Sequence, residues 1–112
     1  MKPIKLNKEN KAAFKKCLDD DKKTTIILFY ALWCPHCQHM KPEWDAAAEK
    51  LKQKRKVQIA EVEYSDMSHL PEKYKKGVQG FPTVHKIKGG KVIDEYYGDR
   101  SRDSFVEYAN RA

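Results

Sequence analysis

The sequence predicts an α/β fold in which a central mixed β-sheet carries helices on both faces, built as a single domain over residues 1–112. Three observations predict it. Thr24–Tyr30 is a continuous run of β-branched, apolar and aromatic residues, the pattern of a strand covered on both sides. Residues 34–54 lack β-branched side chains and are rich in Ala, Glu, Lys and Leu, so a long helix separates that strand from a second one at 57–64. Gly89-Gly90 divides two further strand-like runs, Thr83–Ile87 and Val92–Tyr96, which makes them an antiparallel hairpin.

The elements follow in order. Ile4 and Leu6 alternate with lysines, giving a short strand at 3–6 with one buried face. Asn7 offers an N-cap to a helix over about 8–19, whose apolar stripe is Phe14, Cys17 and Leu18. Asp19–Lys23 is a polar stop. Pro42 falls inside the long helix and should kink it, because proline lacks the backbone donor and crowds the preceding turn. A strand, a long helix and a second strand argue for parallel pairing through a right-handed crossover. Met67–Lys75 suggests a short helix ended by Gly77 and Gly80. Ser101 caps a last helix with Phe105, Val106, Tyr108 and Ala109 on its buried side.

Composition narrows the class. Hydrophobic residues make up 40% of the 112, enough for one core of ordinary size. Three cysteines are too few for a disulfide-stapled mini-protein. No apolar run approaches the roughly 20 residues that span a bilayer, so no membrane association is expected. Lys and Arg number 23 against 16 Asp and Glu, a formal charge of +7. The densest positive stretch, Lys50–Lys56, falls at the end of the long helix, where cations complement the dipole; without interleaved aromatics or a recognition motif it does not point to nucleic acid. The start, Met1–Lys8, has no apolar core of a signal peptide, and the end, Tyr108–Ala112, carries no retention or lipidation motif.

Trp33-Cys34-Pro35-His36-Cys37 carries the chemistry. It lies where the buried strand hands over to the long helix. Unpaired backbone donors and the positive dipole end of that helix favour a thiolate on Cys34. Cys37, one turn on, is spaced to close a disulfide with Cys34 and to resolve a mixed disulfide formed there. His36 supplies positive charge or a hydrogen bond near the Cys34 sulfur, and Pro35 stiffens the first turn. A better stabilised thiolate makes the disulfide more oxidising, so Pro35-His36 favours donating disulfides over removing them. The rival for the pair is a zinc site, which lacks a second ligand pair at suitable spacing.

Residues 26–44, from Ile26 to Trp44, resemble the active-site segment of a protein disulfide isomerase catalytic domain, which has the thioredoxin fold. Gly80-Phe81-Pro82-Thr83 resembles the family's cis-proline loop, the Gly89-Gly90 hairpin sits at the family's position, and Tyr97-Gly98-Asp99-Arg100 resembles the family's lead-in to the last helix. The resemblance covers essentially the whole chain. It implies that Cys34 is the nucleophile, Cys37 the resolving thiol and Pro82 a cis-proline facing the disulfide. It implies that the Phe81 backbone pairs with an extended substrate, with Trp33 and Phe81 adding apolar surface. Arg100 matches an arginine that favours the resolving thiolate; the alternative is a surface charge beside the helix. The chain departs from the family at Leu28, six residues before Cys34, where a buried acid usually stands, and at Glu61, where a lysine is usual. Glu61 is therefore expected either to relay the Cys37 proton from a partly buried position or to point to solvent. Cys17 reads as a core thiol, His39 as exposed on the active-site helix, His69 and His85 as unpartnered, and Lys86 as reaching out to the sheet edge.

The expected activity is thiol–disulfide exchange of the oxidase or isomerase type on unfolded or cysteine-containing proteins, through a Cys34–Cys37 disulfide. No metal or cofactor is expected beyond that disulfide. Glutathione or another thiol–disulfide partner would recycle it, and the chain would act as a monomer. The alternatives are a thioredoxin-like reductase and a client-binding module with little turnover. The chemistry suits an oxidising lumen such as the endoplasmic reticulum, in tension with the absent signal and retention motifs.

Overall fold

The structure is a computed structural model, and it describes residues 3–111. Met1, Lys2 and Ala112 lie outside the described residues, and with them the two ends of the expected 1–112 domain and part of each segment read for targeting signals. The elements are β1 (Ile4–Lys5), α1 (Lys11–Asp19), β2 (Thr24–Tyr30), α2 (Pro35–Leu51), β3 (Val57–Glu63), 3₁₀ turns at Tyr64–His69 and Glu72–Tyr74, β4 (Thr83–Lys88), β5 (Lys91–Glu95) and α3 (Arg102–Asn110).

The sheet order is β1-β3-β2-β4-β5. β1 and β2 pair parallel with β3, and β4 pairs antiparallel with both β2 and β5. The expected mixed sheet with helices on both faces is therefore the observed one. Alternation along the strands divides the core. Ile26, Leu28, Val57, Ile59 and Val84 face α2 and α3, where Trp44, Ala47, Phe105 and Tyr108 pack. Ile27, Phe29, Ala60, Val62 and Ile87 face the other way, onto Phe14 and Leu18 of α1 and onto Leu70 and Tyr74. β2 sits between β3 and β4 and is buried from Thr25 to Tyr30, which is why its sequence is apolar without alternation.

Several local expectations shift. Helix α1 begins at Lys11 because Asn7 spends its side chain on a turn: its Oδ1 accepts from the N–H groups of Glu9 and Asn10 at 2.9 and 2.8 Å. Helix α2 ends at Leu51 and continues through Pro42, which is exposed and leaves the Gln38 carbonyl without its helical donor. Leu70-Pro71 splits the Met67–Lys75 segment into two 3₁₀ turns, since the residue before a proline is driven to extended backbone; Leu70 has ψ 135°. Gly89 and Gly90 both have positive φ, 60° and 76°, the geometry a tight two-residue hairpin demands. Their N–H groups bond Asp20 and Leu18 carbonyls, which ties the hairpin to the end of α1.

Lys86 corrects the sequence reading outright. β4 is an interior strand, and the side chain is buried. Its Nζ donates to the Tyr108 and Arg111 carbonyls at 2.8 and 2.9 Å and lies 4.1 Å from the centre of the Tyr108 ring. A lysine thus closes the C-terminal end of α3, where free carbonyls carry negative dipole charge. Burial pushes its pKa below the usual lysine value. His85 is also fully buried, edge-on to Phe29, with Nε2 3.4 Å from Glu95 Oε1. His69 lies 3.8 Å from Asp66. Cys17 is half-buried, less than a core thiol, and burial raises its pKa.

Candidate active site

Cys34 ends the loop after β2 and is the N-cap of α2. Its backbone is extended, and its sulfur accepts the Cys37 N–H at 3.2 Å. The Cys34 sulfur therefore satisfies one of the free donors of the helix start, and it does so at the positive end of the dipole. Pro35 follows at the first helical position, where its missing donor costs nothing. Both cysteines are unpaired and buried, with only 4% and 3% of their surfaces exposed, so the approach to either sulfur is narrow.

That approach is framed by the Phe81–Pro82 loop. The peptide bond is cis, and the Phe81 carbonyl lies 3.6 Å from Cys34 Sγ. Pro82 and Arg100 line one side of a cavity of about 300 Å³ that runs between α2 and the start of α3. On the other side a cleft of about 210 Å³ is lined by Tyr30, Leu32, Cys37, Gln38 and Lys41. Burial and the hydrogen bond shared with Cys34 push the Cys37 thiol up to about 11, while the Ala31 backbone and the Arg100 charge pull the other way. Cys37 therefore holds its proton near neutral pH, and its use as a nucleophile requires that proton to be removed.

Glu61 is turned inward, not to solvent. It stands directly beside Leu28 in the sheet, on the face covered by α2. Trp44 Nε1 donates to its Oε2 at 3.0 Å and Lys41 Nζ lies 3.2 Å from its Oε1. Burial works against the Lys41 charge, but Asp45 and Glu61 outweigh it and hold the ammonium above its usual pKa. The acid and base of this pair have moved: the acid is on β3 and the lysine on α2, with Leu28 filling the place on β2.

His36 lies exposed on the first turn of α2. Among the described residues the Cys34 thiol accepts from the Cys37 N–H and donates to the Phe81 carbonyl, and the direct hydrogen bond from His36 is not made. His39 is exposed, as its helix position implied. Among the described residues no three His, Cys, Asp or Glu side chains gather as metal ligands, and no helix is long and apolar enough to cross a membrane.

Sequence reading missed Glu63 and Tyr64. Glu63 is buried at the end of β3, and its carboxylate accepts the Leu32 N–H at 3.2 Å, the Ser65 N–H at 3.0 Å and the Ser65 hydroxyl. Burial is the largest influence on its pKa and acts upward, yet the donors from Ser65, Leu32 and Tyr64 together hold it below the usual glutamate value. A signal was present: period-two alternation puts Glu61 and Glu63 on the same strand face as the core residues Val57 and Ile59.

A five-stranded mixed sheet carrying a Cys-x-x-Cys at the start of its central helix, opposite a cis-proline loop, defines the thioredoxin class. The chain matches the thioredoxin family over residues 5–111, and it belongs to that family. It is 40% identical over 92 residues to protein disulfide isomerase-like 2-1 of Oryza sativa subsp. japonica, covering 81% of this chain and 25% of that one. It is 36% identical over 99 residues to human protein disulfide-isomerase A6, covering 87% of this chain and 22% of that one. The chain thus spans about a quarter or less of these curated relatives. Among solved structures, the first thioredoxin domain of mouse protein disulfide-isomerase A4 superimposes with a TM-score of 0.70 at 30% identity, covering 94% of this chain and 71% of that one. The first two thioredoxin domains of Saccharomyces cerevisiae Eps1p give 0.77 at 25% identity, covering 96% and 39%.

Proposed function

We propose that this chain catalyses thiol–disulfide exchange on cysteine-containing proteins, cycling between the Cys34–Cys37 dithiol and disulfide, as an oxidase or isomerase. The observation that carries the reading is the placement of Cys34 Sγ at the N-cap of α2, 3.6 Å from the Phe81 carbonyl beside cis-Pro82. A substrate strand laid along the Phe81 backbone brings its sulfur to Cys34. In the oxidising direction a substrate thiolate attacks Cys34 of the protein disulfide. The new sulfur–sulfur bond forms as the Cys34–Cys37 bond breaks, and Cys37 leaves with the electron pair and takes up a proton. A second substrate thiolate then displaces Cys34, so the substrate is oxidised by two electrons and the protein is left as the dithiol. A disulfide partner such as oxidised glutathione restores the cycle, and no other cofactor is required.

Cys37 must gain and lose a proton in each cycle. Arg100 favours its thiolate, and the Glu61–Lys41 pair is the acid–base group on the same face of the sheet, with Lys41 lining the cleft that reaches Cys37. Pro35 and His36 are read as favouring the dithiol through a stiffened first turn and local positive charge. Likeness to relatives named protein disulfide isomerases supports protein substrates, and the chemistry suits an oxidising compartment such as the endoplasmic reticulum lumen. A monomer is sufficient for every step.

Equilibration of the pair against glutathione buffers tests the direction. A potential near about −180 mV supports the oxidase or isomerase reading, and one near about −270 mV makes the chain a reductase. A Cys37→Ser chain should accumulate mixed disulfides with unfolded clients that carry a disulfide, Cys34 attacking one client sulfur as the other leaves as a thiolate. If Cys34→Ser instead retains full client activity, the chain is a binding module.

A further inference from the structure

The basic stretch at the end of α2 does not stand alone in the fold. Three loops gather at one end of the sheet, the end away from Cys34. The loop before β2 carries Lys22 and Lys23, the loop before β3 carries Lys54, Arg55 and Lys56, and the β4–β5 hairpin carries Lys88 and Lys91. Parallel pairing sets Thr24 beside Val57, and the Thr24 N–H donates to the Lys56 carbonyl at 2.8 Å. Antiparallel pairing sets Thr25 opposite Ile87 and Lys88 opposite Lys91, and the Gly89 N–H donates to the Asp20 carbonyl at 3.2 Å. β3, β2, β4 and β5 are neighbours in that order, so the cations lie along a row of about 15 Å at strand spacing.

Acids share this end but are mostly engaged within the fold. Asp19 bonds Lys15 and the Tyr74 hydroxyl, Asp20 accepts the Lys22 N–H at 2.8 Å, and Glu49 pairs with Lys52, which leaves Asp21 exposed. The seven cations are exposed except for the half-buried Lys23, and among the described residues none of them forms an ion pair. Like charges held together without partners repel one another, and a polyanion relieves that repulsion. The three loops hold no aromatic or large apolar residue, so they offer nucleic-acid bases no stacking platform. All but Arg55 are lysines, compact point charges that suit a diffuse anionic surface more than forked recognition of single phosphates. A row spread over four strand ends meets a flat leaflet all at once.

We propose that this basic pole docks the protein on an anionic lipid surface by charge, with Cys34 turned outward. The length of β2 separates the two ends by about 20 Å. A leaflet against the pole therefore leaves the nucleophile and the Phe81–Pro82 loop open to clients. The contact is peripheral. It revises the expectation of no membrane association, which rested on the lack of a spanning run. It does not depend on the exchange reading.

The test is cosedimentation of the full chain with vesicles of phosphatidylcholine, with or without phosphatidylserine. At low ionic strength the protein should bind the anionic vesicles and not the neutral ones. Binding should fade with salt, because the screening length shortens from about 30 Å at 0.01 M to about 3 Å at 1 M. Each cation near an anionic leaflet is worth about fivefold in affinity, so Lys54→Glu with Arg55→Glu and Lys56→Glu should weaken binding at least about hundredfold. Lys88→Glu with Lys91→Glu, on a different loop, should weaken it at least about twenty-five-fold by the same reckoning. Lys8→Glu with Lys11→Glu and Arg102→Glu makes the same change in net charge as the first variant, away from the pole, and should cost less than about tenfold because screening shields distant charges. All three variants should release thiolate from a free nitrobenzoate disulfide as wild type does, which reports an intact fold around Cys34. No binding to anionic vesicles at low salt, or an equal loss in pole and remote variants, overturns the proposal. Binding to an oligonucleotide or to polyglutamate but to neither vesicle assigns the pole to another polyanion and also overturns it.

Discussion

Replacing Glu63 by glutamine removes one charge from inside the fold while keeping the side chain's size. The native carboxylate accepts at both oxygens: Oε2 from the Leu32 N–H at 3.2 Å, Oε1 from the Ser65 N–H at 3.0 Å and from the Ser65 hydroxyl. A glutamine has one accepting oxygen. In either orientation its amide donors face a backbone N–H, so one of the two anchors loses its acceptor. A hydrogen bond to a charged group contributes about 1.5–3 kcal/mol, and stranding a buried donor costs about 1–3 kcal/mol. The Leu32 bond is only part-buried, so the middle of these ranges applies, about 2 kcal/mol. For a chain of this size that is a fall in Tm of about 8 °C.

The pH dependence makes the prediction sharper. The folded pKa of Glu63 is depressed, so its contribution is fully present above the unfolded value of about 4.3 and is lost as pH falls through the folded value. Glutamine does not titrate. The stability gap between wild type and Glu63→Gln, measured by urea denaturation of the reduced protein, should be constant from neutral pH to about pH 5 and narrow below about pH 4. No gap at neutral pH, or a gap that persists unchanged into acid, would refute the account, because it would mean that the charge and its hydrogen bonds do not hold the loop.

Three further outcomes follow from the site. Arg100→Ala should raise the Cys37 pKa beyond about 11 and slow the release of a mixed disulfide by Cys37 near neutral pH, read from the pH profile of that step. Glu61→Gln should slow the same step by at least about tenfold, the usual minimum for losing a positioned proton-transfer group is of order 10²-fold and a tenfold floor allows for water taking over; unchanged rates across neutral pH would remove Glu61 from the mechanism. Lys86→Met should lower stability by about 1–2 kcal/mol in denaturant titration, because the Tyr108 and Arg111 carbonyls at the end of α3 lose a charged donor while the apolar replacement recovers some packing.

The elements that were legible in the sequence are those whose signal is local. The apolar run of β2, the paired glycines of the hairpin and the Ser101 cap, whose Oγ accepts the Ser104 N–H at 3.2 Å, are each written within a few neighbouring residues. Strand boundaries suffered least. The 67–75 segment and the first turn of α1 were misjudged where a single proline or asparagine redirects backbone hydrogen bonds, an effect weaker than hydrophobic periodicity but decisive at an element's end.

The site divides in the same way. A strand, a Cys-x-x-Cys and a helix start determine by themselves that Cys34 sits among free backbone donors with Cys37 one turn away, because three residues of helix bring the two positions together whatever the rest of the chain does. The pairing of Glu61 with Lys41 and Trp44, the burial of Lys86 against α3 and the meeting of Tyr64 with Trp33 were decided only by tertiary structure. β2 and β3 run parallel with Tyr30 opposite Glu63, so the segments that leave these two strands emerge side by side at one end of the sheet. Residues far apart in the chain thereby become neighbours around Cys34. No local pattern encodes that encounter, since it depends on the register between two strands that a whole helix separates.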